Sequence, residues 1–144
     1  MRGAITVGDI HQSDEENIIF GNALIETYEL ESNIAIYPRI ILSKSAYKFM
    51  QDKASNILKK YFRQSKDGIW FLHVFEKSLQ LEESDWQNTS KPTLERMLEH
   101  NINNPEAFKK IRWFAEYYNT TIKNDVYSGR QVSKDSIIQL PAWP

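Results

Sequence analysis

The chain contains no cysteine, which excludes disulfides, thiolate zinc sites and a cysteine nucleophile at once. It has no apolar run approaching the roughly 20 residues that cross a bilayer as a helix. The opening MRGAITVGDI has too short an apolar stretch for a secretory signal, and Asp9 interrupts it. Glycine is sparse, five in 144 residues, and neither GxxxxGK[ST] nor GxGxxG occurs. The two common glycine-rich phosphate cradles are therefore missing, as is a GxSxG nucleophile elbow. An excess of one charge sign is also lacking. Eighteen Lys and Arg balance nineteen Asp and Glu, for a formal net charge of -1, so duplex DNA and anionic membranes are not expected partners. What the chain does have is a hydrophobic fraction of 41% of its residues, with aromatics at 12% of all residues, enough to bury a core. These features lead to the expectation of a cytoplasmic globular domain.

Hydropathy patterning gives an ordered series of elements. Arg2–Gly8 alternates as a strand, and nothing before it is available to pair with it. That position leads to the expectation that sheet partners lie upstream, lost to a late start codon or a split gene. Asp9–Asn17 reads as a polar loop or hairpin tip, and Ile18–Phe20 as a short strand ending at Gly21. Asn22 is a candidate N-cap for a helix running to about Ser32–Asn33, with Leu24, Ile25 and Tyr28 at helical spacing as its apolar positions. Ala35–Leu42 is β-rich, with Pro38 restricted to an edge, bulge or strand start. A helix of about 20 residues is expected from Ser43, with Ala46, Phe49, Met50, Ile57, Leu58, Tyr61 and Phe62 as its apolar stripe. Lys53, Lys59, Lys60 and Arg63 make its C-terminal end basic. Asp67-Gly68 signals a turn, and Ile69–Phe75 is short and apolar enough for a buried strand.

Beyond this, Glu76–Pro92 reads as a long polar loop, and Leu94, Met97 and Leu98 as a short helix. Pro105 fits a helix first turn. Phe108, Ile111, Ala115, Tyr118 and Ile122 then give the strongest helical spacing in the chain. Residues 1–123 are read as one domain and 124–144 as a loosely packed tail. The alternation of strands and helices implies α/β or α+β layering.

Chemistry-bearing residues are few. No two of His11, His73 and His100 have a metal-helix spacing, so no metal site is assigned. His73 sits inside a strand and reads as structural. His11, beside Asp9 and Asp14, is either a solvated loop histidine or a phosphate or metal contact. Glu26, Glu29 and Glu31 are either a solvated helix surface or the rim of a site. Trp113, Phe114, Tyr117 and Tyr118 are core aromatics or stacking groups, and Trp113 and Tyr117, off the main stripe, fit an oligomer contact.

From Arg2 to Ser32 the order is more specific. RGAITVG, a polar hairpin and IIFGNALIETYELES resemble the middle of the nucleotidyl cyclase catalytic domain of adenylate and guanylate cyclases. The landmarks are Phe20, Gly21, Asn22, Glu31 and Ser32. With YPRIILS and DGIWFLHVF, the string is similar to a bacterial group that includes the pyrimidine nucleotide cyclases of anti-phage signalling. The resemblance implies a ferredoxin-like core with C-terminal helices, dimerisation, and two Asp-held Mg or Mn ions that activate a ribose 3′-hydroxyl on a nucleoside triphosphate. Those Asp residues belong to strands preceding the RGAIT strand, so this chain corresponds to the C-terminal part only. The purine-cyclase Asn and Arg positions fall on Ile25 and Glu29, and the purine-reading acid on Ile18, so no catalytic residue carries over. Arg2, His11, Glu26 and Arg39 remain as substrate-binding candidates. For Arg39 the competing expectation is an ion pair with a helix glutamate. Two functions follow: the distal part of a nucleotide cyclase, acting with a missing N-terminal half or as a homodimer, or a non-catalytic interaction or ligand-binding module with a cyclase-like fold.

Overall fold

The computed structural model describes residues 2–75, 89–124 and 136–142. Two compact units divide the chain between Val74 and Phe75, rather than near residue 123. In the first unit, β1 (Gly3–Ile5) leads to a hairpin of β2 (His11–Ser13) and β3 (Ile18–Phe20), then to α1 (Asn22–Asn33) and β4 (Ile40–Leu42). Next come α2 (Lys44–Lys53), α3 (Ser55–Tyr61), β5 (Phe62–Gln64) and β6 (Trp70–Leu72). A four-stranded mixed sheet has the order β1-β4-β6-β5. β1 and β4 are parallel, with Ala4 beside Ile41, while β6 is antiparallel to both β4 and β5. The class is α/β.

Strand alternation sorts the side chains onto two faces. On one, Leu42, Phe62, Trp70 and Leu72 form a core with Ala46, Tyr47 and Met50 of α2 and Leu58 and Tyr61 of α3. On the other lies α1: Arg2 meets Glu31, Thr6 meets Glu26, and Gly8 closes on Ala23. The crossover from β1 through α1 to β4 is what makes those two strands parallel neighbours. Among the described residues β1 pairs only with β4, and no strand lies along its outer edge.

Several expectations change in detail. The N-cap position of α1 is Gly21, not Asn22, and it makes no side-chain cap bond. The expected strand 35–42 keeps only its last three residues, because Tyr37–Arg39 bend around Pro38. The expected 20-residue helix breaks at Ala54, whose φ of −148° leaves the helical region. Of the expected stripe, Ala46 and Leu58 are buried, while Phe49 on α2 and Ile57 on α3 are about half exposed, at 49% and 50%. Phe62, expected at the end of that helix, instead opens β5. The Asp67-Gly68 turn joins β5 to β6, with Gly68 at φ +80°.

The second unit contains α4 (Lys91–His100) and α5 (Pro105–Asn124). Leu94 and Leu98 from α4 and Phe108, Ala115, Tyr118 and Ile122 from α5 are buried, at the helical spacing read from the sequence. Residues 89–92, expected in a loop, are helical, since Lys91 and Pro92 open α4. The rest of that expected loop, 76–88, lies outside the described residues. Phe75 packs against Phe114, Tyr117 and Tyr118 with centroids 5.4, 5.1 and 5.7 Å away. Those aromatics are thereby part of a cluster within this unit.

The tail expected to be loose is anchored over 136–142. Asn119 binds both the N–H and the C=O of Ile138 at 2.9 Å, as a neighbouring strand would. Tyr118 donates its hydroxyl to the Ser136 carbonyl at 3.2 Å. Burial, with the Glu95 charge, pushes that phenol up to about 12, which keeps it a donor. Arg112 donates to the carbonyl of Pro141. Polar composition suggested looseness there because side-chain to backbone anchoring leaves no periodic mark in a sequence.

Candidate functional site

Ligands in open α/β sheets gather beyond the carboxyl ends of parallel strands. Here those ends are Ile5 and Leu42, and the next residues, Thr6 and Ser43, begin a chain of hydroxyls. The Ser43 N–H donates to the Ile5 carbonyl at 2.9 Å, tying the two strand ends together. The Ser43 hydroxyl, buried in the fold, donates to Thr6 Oγ1 at 3.0 Å, and Thr6 donates to the Glu26 carboxylate on α1. Ser45 Oγ lies 2.7 Å from Ser43 Oγ and 3.0 Å from Thr6 Oγ1. Ser43 also caps α2 by accepting from the Ala46 N–H at 3.0 Å. The donors therefore run in one direction, from exposed Ser45 through Ser43 and Thr6 to a carboxylate. Such a chain fixes the Glu26 oxygen as an acceptor and presents the Ser45 hydroxyl to solvent. It suits a ligand donor or cation at Glu26 and disfavours a bare phosphate there.

The four sequence candidates each engage a different partner. Glu26 is part of the hydroxyl chain. Arg2 pairs with Glu31 at 2.5 Å on the exposed side of α1. His11 sits opposite Phe20 in the hairpin and stacks on it at 5.1 Å. Arg39 is buried and forked onto Asp67, with Nη1–Oδ1 3.2 Å and Nη2–Oδ2 2.5 Å, beneath the Tyr37 ring. The ion-pair expectation for Arg39 thus holds in kind, but the acid comes from the β5–β6 turn instead of a helix. Partial burial acts to raise the Asp67 pKa, yet the hydrogen bonds from Arg39 and the Ile69 N–H outweigh it and hold the carboxyl below its ordinary value. Replacing Asp67 with Ala should cost about 2 kcal/mol, since a buried guanidinium loses a two-pronged acceptor. Urea unfolding of the variant checks this, with Asp67→Asn expected to recover less than half of the loss.

Of the acidic helix cluster, Glu26 and Glu31 are partnered and Glu29 is exposed. Ile18 and Ile25 are 46% and 57% exposed. His73 is buried just past the end of β6, and its backbone N–H donates to the Tyr61 carbonyl at 2.7 Å. Burial and the nearby Arg63 charge lower its pKa to about 4, so it is held neutral as a structural group. Among the described residues no group of three or more His, Asp or Glu is placed to hold a metal. No described helix is long and apolar enough to cross a membrane.

Sequence reading missed Thr6, Ser45 and Asp67 as participants. Ser43 stood out as a helix start, but its role in joining two strand ends depends on parallel pairing across 37 residues. Asp67 was visible only as a turn residue. Comparison with protein-family models, curated proteins and solved structures finds no match to this chain.

Proposed function

We propose that this chain is the C-terminal part of a nucleotide cyclase-like domain, a partial ferredoxin-like sheet whose metal-bearing carboxylates lie outside it. The complete domain would convert a nucleoside triphosphate to a cyclic nucleotide and pyrophosphate, with Mg or Mn held by those carboxylates. The observation that carries the reading is the strand, hairpin, helix, parallel strand order of residues 3–42, with β1 at a sheet edge. That order is the one the resemblance implies, and the edge offers a place for further strands. Within this chain the hydroxyl chain ending at Glu26 contributes a positioned acceptor at the strand ends. Arg2, His11 and Arg39 are occupied by Glu31, Phe20 and Asp67 and have structural work in this state. The test is to incubate the purified chain with each nucleoside triphosphate and Mn²⁺. No cyclic product is expected from this chain alone, and robust turnover by it would overturn the proposal.

A second reading, an interaction module that keeps a cyclase-like fold, is favoured by the exposed apolar residues of the hairpin and α1. Ile19, Phe20, Ile25 and Tyr28 are 53%, 57%, 57% and 70% exposed. Such a surface marks a contact with another protein surface.

A further inference from the structure

The two helical faces of the first unit carry opposite charge. From Asp9 to Glu31 there are seven carboxylates and no Lys or Arg. From Lys44 to Lys66 there are seven Lys and Arg against one acid, Asp52. The first segment forms the hairpin and α1, and the second forms α2, α3 and β5. The fold places α1 on one face of the sheet and α2 and α3 on the other. Asp14, Glu15, Glu16 and Glu29 are exposed on the acidic side, and Lys44, Lys48, Lys53 and Lys59 on the basic side. None of these eight forms one of the described ion pairs, which use Arg2, Arg39, Lys91 and Arg112. The same elements carry exposed apolar groups: Ile19, Phe20, Ile25 and Tyr28 on the hairpin and α1, Phe49 and Ile57 on α2 and α3.

We propose that the occupant of the acidic, apolar surface of the hairpin and α1 is the basic α2–α3 surface of a second copy of this chain. Apolar side chains supply burial, while the surrounding charges set register and speed encounter. The near-zero net charge leaves little overall repulsion to oppose self-association. Because the complementary surfaces lie on opposite faces, the contact is head-to-tail. Such a contact generates rings or open chains instead of a closed two-fold dimer. This inference is independent of the cyclase reading and stands or falls without it.

The full chain, measured by sedimentation velocity at rising concentration, should exceed twice the monomer mass at low salt and shrink as salt screens the charges. The triple variant Glu15→Lys, Glu16→Lys, Glu29→Lys should be monomeric, and so should Lys48→Glu, Lys53→Glu, Lys59→Glu. All six positions are exposed, and circular dichroism checks that both variants fold. Mixed in equal amounts, the two variants should associate again, because each then presents the charge the other needs. Wild type that stays monomeric at low salt, or a closed dimer that does not grow, would overturn the proposal. So would variants that associate as wild type does, or a mixture that remains monomeric. An assembly that forms only with a different protein would overturn it too.

Discussion

Replacing Gly21 with Ala should destabilise the first unit by about 3 kcal/mol, the largest effect expected among the described glycines. Gly21 has φ +150°, a region that L side chains rarely adopt. An added Cβ would also collide with the Asp9 carbonyl and stand 2.9 Å from the Ile10 Cα. Both neighbours are backbone, so neither rotates away. The close approach exists because Asp9 O accepts from the Ala23 N–H, pinning the hairpin stem to the start of α1. Two further glycines calibrate the result. Gly68 has φ +80° but open space around it, so Gly68→Ala should cost about 1 kcal/mol. A Cβ on Gly3 would meet only the Ile40 side chain at 3.8 Å, and Gly3→Ala should stay within about 0.5 kcal/mol of the parent. Hydrogen exchange at the Ile41 and Phe71 amides reads the first unit separately and checks the ranking. Equal costs for Gly21 and Gly3 would remove the packing argument.

Acidification should weaken the same unit well before most carboxylates protonate. His73 has its pKa lowered from 6.5 to about 4, by burial first and the Arg63 charge second. The unfolded chain therefore takes up a proton that the folded chain refuses. Stability is at its full value above the ordinary histidine pKa and is lost as pH falls from about 6.5 towards about 4. Up to about 3 kcal/mol is at stake across that window, with about 2 kcal/mol gone by pH 5. His73→Gln should flatten the slope between pH 6.5 and 5, whatever it does to stability at pH 7. A parent protein with no slope in that interval would contradict the burial of a neutral imidazole.

The candidate site was only half legible from the sequence because its parts are long-range. Periodicity marked α4 and α5 well, since Leu94, Leu98, Phe108, Ala115 and Tyr118 are buried at that spacing, whereas in α1 Leu24, Ile25 and Tyr28 are exposed and Ala23 is the buried residue. The Asp67-Gly68 turn was visible because only certain residues accept its backbone. The break at Ala54 was not, because no Gly or Pro punctuates it and the apolar spacing continues across it. β5 was hidden for the same reason: Phe62 fits a helical stripe as well as it fits β6 pairing with Leu72. Glu26 was singled out, yet its partner Thr6 lies 20 residues before it, and Ser43, which donates to Thr6, lies 37 residues beyond Thr6, so the three meet only through parallel pairing of β1 with β4. The order of strand, glycine and helix around Gly21 was legible from the residues, and the tight approach to Asp9 gives a physical reason for the glycine.

The most direct test of the central proposal is a cyclic-nucleotide assay run on two proteins side by side, this chain and the product of the same reading frame extended upstream of Met1. With Mn²⁺ and the four nucleoside triphosphates, the extended protein should release a cyclic nucleotide and pyrophosphate, and this chain should release neither. Turnover by this chain alone, or an upstream frame that encodes no carboxylate-bearing strand and yields no activity, would contradict the account.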